Sequence, residues 1–291
     1  MLTTLTPHRP LRAITYNLLL GGLDAGSDDR LRAQVEMLAA LAPDVLCLQE
    51  CTGWTNRHLS RVADELGMML VGMVPSRVRR IPSPPNFTVL LIRPSTVRLM
   101  DWWSVGEGVF HHALIMARLR PVAAGANPDD DFLVFGTHLS WVDGSVRLGE
   151  TRMVTDYGGA FPGVPLKKVF MGDLNTPDRE PGSWSLIPQF LQSRYRLVLP
   201  DGSFGDVDQR AVQVLLGSGW RDPQVSSATP EAASVGYYYP NEPVLWRIDY
   251  ILVSGLPDVI SYAIHDTPDL RKYSDHLPVI LDVDVMAGAQ A

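Results

Sequence analysis

Short apolar runs alternate with amphipathic segments along almost the whole chain. In the segment 28–41, leucine and valine recur at the spacing of one helical face, and Pro43 prevents the helix from continuing. Uninterrupted runs such as Val45-Leu46-Cys47-Leu48 are instead typical of buried strands. The pattern predicts helices at 28–41, 55–66, 145–157, 184–192 and 208–216, and strands at 11–20, 44–49, 68–74, 88–92, 97–102, 112–119, 132–137, 169–171, 248–253 and 279–285.

The predicted strands far outnumber the helices that could cross between them. This ratio favours mixed, largely antiparallel sheets with helices on the outside. We therefore expect an α/β fold in which two sheets pack together and helices flank them. Because the strand-forming runs extend over the whole sequence, we expect one domain over residues 1–291, with its core at about 11–286.

Composition is that of a protein with a full core. Hydrophobic residues make up 46% of the chain and charged residues 20%. The net charge of -7 does not favour broad electrostatic capture of nucleic acid, although a local basic patch could still bind it. The two cysteines, Cys47 and Cys51, lack metal-site spacing and are expected to be free structural thiols in a reducing compartment.

The apolar segments are short. Residues 1–7 contain no stretch like that of a signal peptide, and no apolar run has the length of a membrane span. We therefore expect a soluble, cytoplasmic protein without stable membrane insertion.

Polar residues stand where the predicted strands begin or end. Such sheet-edge positions on a rigid scaffold are where binding and catalytic sites are usually built. The residues concerned are Asn17, Glu50, His138, Asp173, Asn175, Asp249, Asp275 and His276.

The residue types in this set suit one chemistry. Carboxylates and amides are hard oxygen ligands for Mg²⁺ or Mn²⁺, and the set contains no thiolate of the kind that holds zinc. The two histidines stand beside acids and can act as acid–base groups and phosphate donors. Together these groups predict metal-assisted hydrolysis of a phosphoester.

Six segments resemble the motifs of the endonuclease/exonuclease/phosphatase family, whose fold is that of pancreatic deoxyribonuclease. They occur in family order and span nearly the whole chain. The segments are Thr15-Tyr16-Asn17-Leu18, Asp44-Val45-Leu46-Cys47-Leu48-Gln49-Glu50, Thr137-His138-Leu139, Gly172-Asp173-Leu174-Asn175, Arg247-Ile248-Asp249-Tyr250-Ile251-Leu252 and Ser274-Asp275-His276-Leu277-Pro278-Val279. The resemblance implies a four-layered α/β sandwich, in which helices flank two mostly antiparallel central sheets and the site lies at one end.

The resemblance also implies a metal site. Glu50 corresponds to the principal metal-binding glutamate of the family, Asp275 to a position near the metal, and Asn17 to an asparagine close to the metal or to the phosphate. Leu19 stands where some DNA-repair members carry an acid, which puts a second metal contact there in doubt.

The resemblance implies a different catalytic role for each of the remaining site residues. Asp173 corresponds to the acid that orients or deprotonates the attacking water, and Asn175 to the amide that steadies the phosphorane-like state. Asp249 and His276 resemble the Asp–His pair, in which the acid orients an imidazole that contacts the phosphate. His138 corresponds to the second histidine of the deoxyribonuclease and sphingomyelinase branches, a candidate acid for the leaving oxygen. Because negative charge favours an imidazolium, His276 is expected to hold its proton.

Candidate substrate contacts are fewer. Asn86 weakly matches the family, Trp141 could stack on a base or sugar, and Arg152 could contact phosphate. The basic, proline-rich loop with Arg77, Arg79 and Arg80 contacts phosphate or is simply solvated, and Tyr237-Tyr238-Tyr239 lines the cleft or packs its own loop. Four other histidines match no motif and are expected at the surface or in the core: His58, His111, His112 and His265.

The leading function is therefore a Mg²⁺-dependent phosphoester hydrolase. Its substrate is a small soluble phosphoester, a phospholipid headgroup or nucleic acid. Two alternatives use the same fold: an unusual biosynthetic reaction, and a binding protein without catalysis.

Overall fold

The computed structural model describes residues 9–78, 83–256 and 259–288. Residues 1–8, on which the signal-peptide expectation rests, and Arg79 and Arg80 lie outside these ranges. The helices are α1 (Asp29–Leu41), α2 (Asn56–Leu66), α3 (Gly144–Arg152), α4 (Gln189–Gln192), α5 (Arg210–Gly217) and α6 (Leu270–Tyr273). The strands are β1 (Leu11–Asn17), β2 (Val45–Gln49), β3 (Met69–Pro75), β4 (Phe87–Ile92), β5 (Val97–Val105), β6 (Ala113–Pro121), β7 (Phe132–His138), β8 (Lys167–Asp173), β9 (Arg196–Val198), β10 (Phe204–Val207), β11 (Asp249–Ser254), β12 (Val259–Ile264) and β13 (Val279–Val283).

Two large sheets form the centre of the molecule. The first has six strands in the order β12-β13-β1-β2-β4-β3, and the second has five in the order β11-β8-β7-β6-β5. One pair in each sheet is parallel, β1 with β2 and β7 with β8, and the other pairs are antiparallel. Strands β9 and β10 make a separate short hairpin.

The alternation of side chains along each strand builds the layers. In β2, Val45 and Cys47 face the core between the two sheets, whereas Leu46 and Leu48 face a second core beneath α1 and α2. The second sheet repeats this arrangement, with a third core that includes residues of α5. Strands with apolar neighbours on both faces explain the uninterrupted apolar runs, and the predicted sandwich of two central sheets flanked by helices is confirmed.

The parallel pairs bring strand ends to one edge. In β1 and β2, Asn17 lies opposite Gln49, so Glu50 follows directly at the edge. In β7 and β8, His138 lies opposite Asp173, and Asp173 also pairs with Asp249 of β11. The predicted site residues of both sheets therefore meet at the same end of the sandwich.

Three predicted elements differ from those observed. The first strand ends at Asn17 rather than at residue 20, because the backbone turns through positive φ at Leu19, Leu20, Gly21 and Gly22. The predicted helix 145–157 ends at Arg152, and a 3-10 turn follows over Thr155–Gly158. The predicted helix 184–192 is a 3-10 turn and the single turn α4, separated by Pro188.

The sequence pattern did not predict β9, β10, β12 and α6. The hairpin strands β9 and β10 are short, and β12 lies at a sheet edge with most of its side chains partly or fully exposed. None of these three strands therefore shows the apolar pattern of a buried strand. Both cysteines are free and buried, as expected. None of the helices in the described ranges combines the length and the apolar character needed to cross a membrane.

Candidate active site

The loop after β8 is shaped by close packing at Gly172. A Cβ atom at this position would lie 2.0 Å from the carbonyl oxygen of Thr137 on the neighbouring strand. Only glycine lets the two backbones approach so closely, and this approach sets His138 beside Asp173. The glycine of the segment Gly172-Asp173-Leu174-Asn175 is thus explained by packing.

Asp249, His276 and Asp173 form a buried cluster at the edge where the two sheets meet. His276 Nδ1 lies 2.8 Å from Asp249 Oδ2, and His276 Nε2 lies 3.7 Å from Asp173 Oδ2. Burial alone would lower the pKa of His276, but the carboxylates of Asp249, Asp173 and Asp275 raise it well above its usual value. This shift favours the imidazolium form of His276.

His138 approaches Asp173 from the other side. Its Nε2 lies 3.5 Å from Asp173 Oδ2, and its ring is almost fully buried. Burial, together with His112 and His276, holds the pKa of His138 well below its usual value. The pKa values of the two imidazoles therefore shift in opposite directions, and the shift at His138 favours its neutral form.

Asp173 lies at the centre of the polar network. Its Oδ1 accepts the backbone N–H of Asn175 at 2.8 Å, and its Oδ2 accepts the amide of Asn17 at 3.0 Å, so one hydrogen bond joins the two sheets. Burial raises the pKa of Asp173 to about 7, His276 opposes this shift and Asp249 adds to it. A carboxyl in this state can take up a proton from water near neutral pH.

Glu50 and Asp275 are the carboxylates on the other side of the site. Glu50 accepts the backbone N–H of Leu20 at 3.1 Å, and both acids line the same cavity. Burial first, and the nearby Asp275 second, raise the pKa of Glu50. Two carboxylates that repel each other beside a cavity fit a divalent cation such as Mg²⁺ or Mn²⁺.

Asn17 has more partners than a simple metal ligand would need. Its Oδ1 accepts the N–H of Leu19 at 3.1 Å while its amide binds Asp173. Among the described residues, one group of three acidic or histidine side chains, Asp173 with Asp249 and His276, has ligand atoms within 4.8 Å of one another and could hold a metal ion. Within this group, Asp249 and His276 bind each other.

A cavity of about 500 Å³ opens in front of these groups. Two of the three candidate substrate contacts, Asn86 and Trp141, line it. Arg152 does not line the cavity and lies exposed at the end of α3. Its backbone carbonyl accepts a hydrogen bond from the Thr155 hydroxyl. Arg77 is not in the lining either and donates its backbone N–H to the carbonyl of His111.

Other cavity residues were either not predicted as site residues or were left with two alternatives. His112 is almost fully buried and lines the cavity with its ring stacked on that of His138, 3.8 Å between centroids. Tyr238 and Tyr239 line the cavity, whereas Tyr237 packs under the guanidinium of Arg271. The pair His111-His112 at the start of a strand was the available signal for His112. The other unpredicted lining residues include Arg194, Tyr195, Glu242 and Trp246.

A model of the endonuclease/exonuclease/phosphatase family matches residues 14–276. The chain belongs to this family. The match includes every residue of the cluster described above, from Asn17 to His276. A search of curated proteins found no match.

Solved structures of the endonuclease/exonuclease/phosphatase fold are similar over almost the whole chain. The catalytic domain of human Nocturnin with bound sulfate is 17% identical, with 94% of each chain covered and a TM-score of 0.64. The Bacteroides thetaiotaomicron mannosyl-6-phosphatase is 15% identical, with 94% of this chain and 99% of that chain covered and a TM-score of 0.61. D. rerio TDP2 complexed with a single-strand DNA product is 17% identical, with 94% and 98% covered and a TM-score of 0.61. At these identities the similarity shows the fold.

Proposed function

We propose that this protein is a metal-dependent hydrolase of phosphoesters, in which a water molecule attacks phosphorus in line with the leaving oxygen. The observation that carries the proposal is the position of Asp173 Oδ2. This oxygen binds the amide of Asn17 and lies 3.5 Å from His138 Nε2 and 3.7 Å from His276 Nε2. A base held between two imidazoles, next to a pair of carboxylates that suit a cation, is the arrangement that this reaction requires.

Each residue has a role that follows from its contacts. Asp249 holds the cationic ring of His276, which binds a nonbridging oxygen of the phosphate and stabilises the charge that develops there. Asp173 orients the attacking water and accepts its proton. Asn175 lines the cavity, and its amide, which donates to the carbonyl of Leu139 at 3.0 Å, would contact the reacting phosphate. The neutral ring of His138 hydrogen-bonds the leaving oxygen.

Glu50 and Asp275, with Asn17 behind them, would hold Mg²⁺ or Mn²⁺. When bound, the metal neutralises charge on the phosphate oxygens, which otherwise repel an incoming nucleophile. Asn17 connects this side of the site to Asp173 by its amide, so it would fix the position of the base relative to the cation.

The lining supports a small, soluble substrate. Among the described lining residues, Arg194 is the one arginine or lysine, whereas Glu50, Asp173, Asp275 and Glu242 are acidic. A long polyanion would need a basic track on both sides of the site. The mannosyl-6-phosphatase and the TDP2 complex with its single-strand DNA product have the same fold, so both substrate sizes are compatible with it.

A panel of esters tests the proposal. We expect the protein to hydrolyse one or more of p-nitrophenyl phosphate, bis-p-nitrophenyl phosphate, nucleotides, sugar phosphates, inositol phosphates and plasmid DNA when Mg²⁺ or Mn²⁺ is present, and to stop in EDTA. Glu50→Gln and His276→Ala should each lower the rate by about 100-fold or more, since positioned acid–base and electrostatic groups contribute at least that much. Glu36→Gln, on the exposed face of α1, is the matched control.

The outcomes separate the alternatives. Cleavage that resists EDTA would remove the metal from the proposal and leave the hydrolase. If no ester is cleaved and neither variant alters the binding of any compound, the site is not catalytic. Tight binding without hydrolysis that still depends on Glu50 and His276 would indicate another reaction on this fold.

A further inference from the structure

The backbone that follows β1 makes a left-handed bend beside the site. Leu19 and Leu20 have φ of 54° and 52°, a conformation that a bulky side chain disfavours and that persists only where the surrounding structure holds it. From this bend, the backbone N–H of Leu20 donates to Glu50 Oε2 at 3.1 Å. The position of this carboxylate therefore depends on a strained bend.

Arg30 on α1 holds the bend in place. Its Nη1 donates to the carbonyl of Leu18 at 2.7 Å, and its Nη2 donates to that of Leu19 at 2.8 Å. Nη1 also donates to the carbonyl of Tyr273, the last residue of α6, at 2.9 Å. The side chain of Arg30 is only 9% exposed. One buried guanidinium thus joins the bend after β1 to the segment that carries Asp275.

Gln34 makes the same connection one turn further along α1. Its Nε2 donates to the carbonyls of Leu18 and Tyr273 at 2.9 and 2.8 Å, and its side chain is fully buried. Residues four apart are neighbours on a helix surface, so Arg30 and Gln34 reach the same two carbonyls. Asp24 accepts from Arg30 Nε at 2.9 Å and from Nη2 at 3.0 Å, which fixes the plane of the guanidinium. We call Arg30 and Gln34 the α1 clamp.

The two segments that the α1 clamp joins carry the two carboxylates that would bind the cation. Glu50 is held by the bend, and Asp275 stands two residues after Tyr273. Both carboxylates line the cavity, whereas neither residue of the clamp belongs to its described lining. Because two carboxylates on one cavity repel each other, their separation is set by the attachment of their backbones. The clamp therefore acts on the cation site through the backbone.

We propose that Arg30 is a positioning residue that sets the distance between Glu50 and Asp275, and thereby the affinity of the site for Mg²⁺ or Mn²⁺. The proposal rests on the proposed metal-dependent function. Lysine does not replace this arginine, since its single ammonium nitrogen lacks the planar fork that reaches three carbonyls and a carboxylate at once. Because the clamp lies outside the cavity lining, its loss should weaken metal binding more than the chemical step.

Titration with Mn²⁺ alone tests the proposal. The protein is first freed of metal with EDTA and then dialysed, and binding is measured from the EPR signal of the free ion. Loss of a group that orients metal ligands costs about 10- to 100-fold in metal affinity, so Arg30→Lys should raise the Kd for Mn²⁺ by that factor. Arg32→Lys, at an exposed position of the same helix, should leave the Kd at its wild-type value.

The metal dependence of hydrolysis gives a second readout. With whichever ester the protein hydrolyses, the Mg²⁺ concentration at half-maximal rate should rise in Arg30→Lys, and kcat at saturating Mg²⁺ should change little.

A destabilised variant separates positioning from a general loss of stability. Leu38→Ala removes a buried side chain of α1 from the core and leaves both residues of the clamp in place. It should lower the thermal unfolding temperature and leave the Kd for Mn²⁺ unchanged.

The outcomes separate this proposal from the proposed function. An unchanged Kd in Arg30→Lys would overturn the positioning role and leave the hydrolase function standing. An equal rise in Leu38→Ala would overturn it too, since affinity would then follow stability. Weaker Mn²⁺ binding in Arg30→Lys, with Arg32→Lys and Leu38→Ala like the wild type, supports the role even if no ester is cleaved. A wild-type protein that binds no Mn²⁺ would overturn this proposal together with the metal part of the proposed function.

Gln34→Leu provides the test if Arg30→Lys does not fold. It removes the second pair of hydrogen bonds to Leu18 and Tyr273 and retains Arg30. The Kd for Mn²⁺ should rise in the same direction, and an unchanged Kd would overturn the role of the clamp.

Discussion

His276 Nδ1 lies 2.8 Å from Asp249 Oδ2, although 27 residues separate the two in the chain. Asp249 begins β11 and is fully buried, and His276 precedes β13 in the other sheet. Their hydrogen bond therefore crosses between the sheets at the edge where the site lies. Because Asp249 occupies Nδ1, the Nε2 atom of His276 is the one directed at Asp173.

Asp249→Asn should impair catalysis more than folding. An amide can still bind the ring, but it neither fixes the tautomer nor stabilises the imidazolium. We expect kcat to fall by about 100-fold or more, with a much smaller change in KM. Steady-state kinetics on whichever ester the protein hydrolyses measures this. Asp269→Asn, at the exposed N-terminus of α6, is the matched control, and an unchanged kcat in Asp249→Asn would exclude the orienting role.

The buried ion pair of Arg247 and Asp222 should contribute mainly to stability. Arg247 donates to both carboxylate oxygens of Asp222, at 2.8 and 2.5 Å, and its guanidinium lies over the ring of Tyr250. Asp222→Asn leaves this cation buried without its countercharge. We expect the free energy of unfolding to fall by about 3–5 kcal/mol, measured by urea denaturation.

An exposed pair provides the comparison for this loss. Arg271 and Asp266 form an ion pair near the surface, and Asp266→Asn should cost no more than about 1 kcal/mol. Equal losses in the two variants would contradict the importance of burial.

Replacement of Ala42 by glycine should stabilise the folded protein. It caps the C-terminus of α1 in the left-handed conformation, with φ at 50°, which a side chain disfavours. Ala42→Gly should raise the free energy of unfolding by about 0.5–1 kcal/mol, since the relief of strain outweighs the extra entropy of the unfolded chain. Ala39→Gly, in the exposed last turn of the same helix, should instead lower it by up to about 1 kcal/mol. Thermal unfolding of both variants decides the sign.

Glu150 should make stability fall as pH rises. Burial raises its pKa to about 7 from an ordinary value of 4.5, so the folded protein keeps a proton that the unfolded chain has released. Where the folded state binds more protons, the free energy of unfolding decreases with pH, here across the window from about 4.5 to 7. Glu150→Gln should flatten this dependence, by about 3 kcal/mol, because the two pKa values differ by about 2.5 units.

Chemical denaturation at pH 5 and pH 8 measures the Glu150 effect. The exposed substitution Glu65→Gln is the control for a charge change without burial. Parallel pH profiles for wild type and Glu150→Gln would mean that Glu150 is ionised in the folded protein throughout the window.

Helices and strands with buried faces could be predicted from the sequence, because their apolar residues recur at the positions that are buried. Strand β2 has apolar residues on both faces, and α1 has them on one, so each carries a local pattern. Strand β12 could not be predicted in this way, since it gains its place by pairing with β13 at a sheet edge and buries few of its side chains. Its pattern therefore differs little from that of a loop.

The sequence by itself determined the set of chemical groups and the family pattern that orders them, from Asn17 to His276. Tertiary structure decided which groups share a cavity. It placed His112 against His138 and Arg194 against Trp141, and left Arg152 exposed outside the cavity lining. The physical reason is that a motif records which side chains a strand end carries, whereas the wall of a cavity is assembled from loops distant in sequence. Their contacts arise only when the two sheets pack.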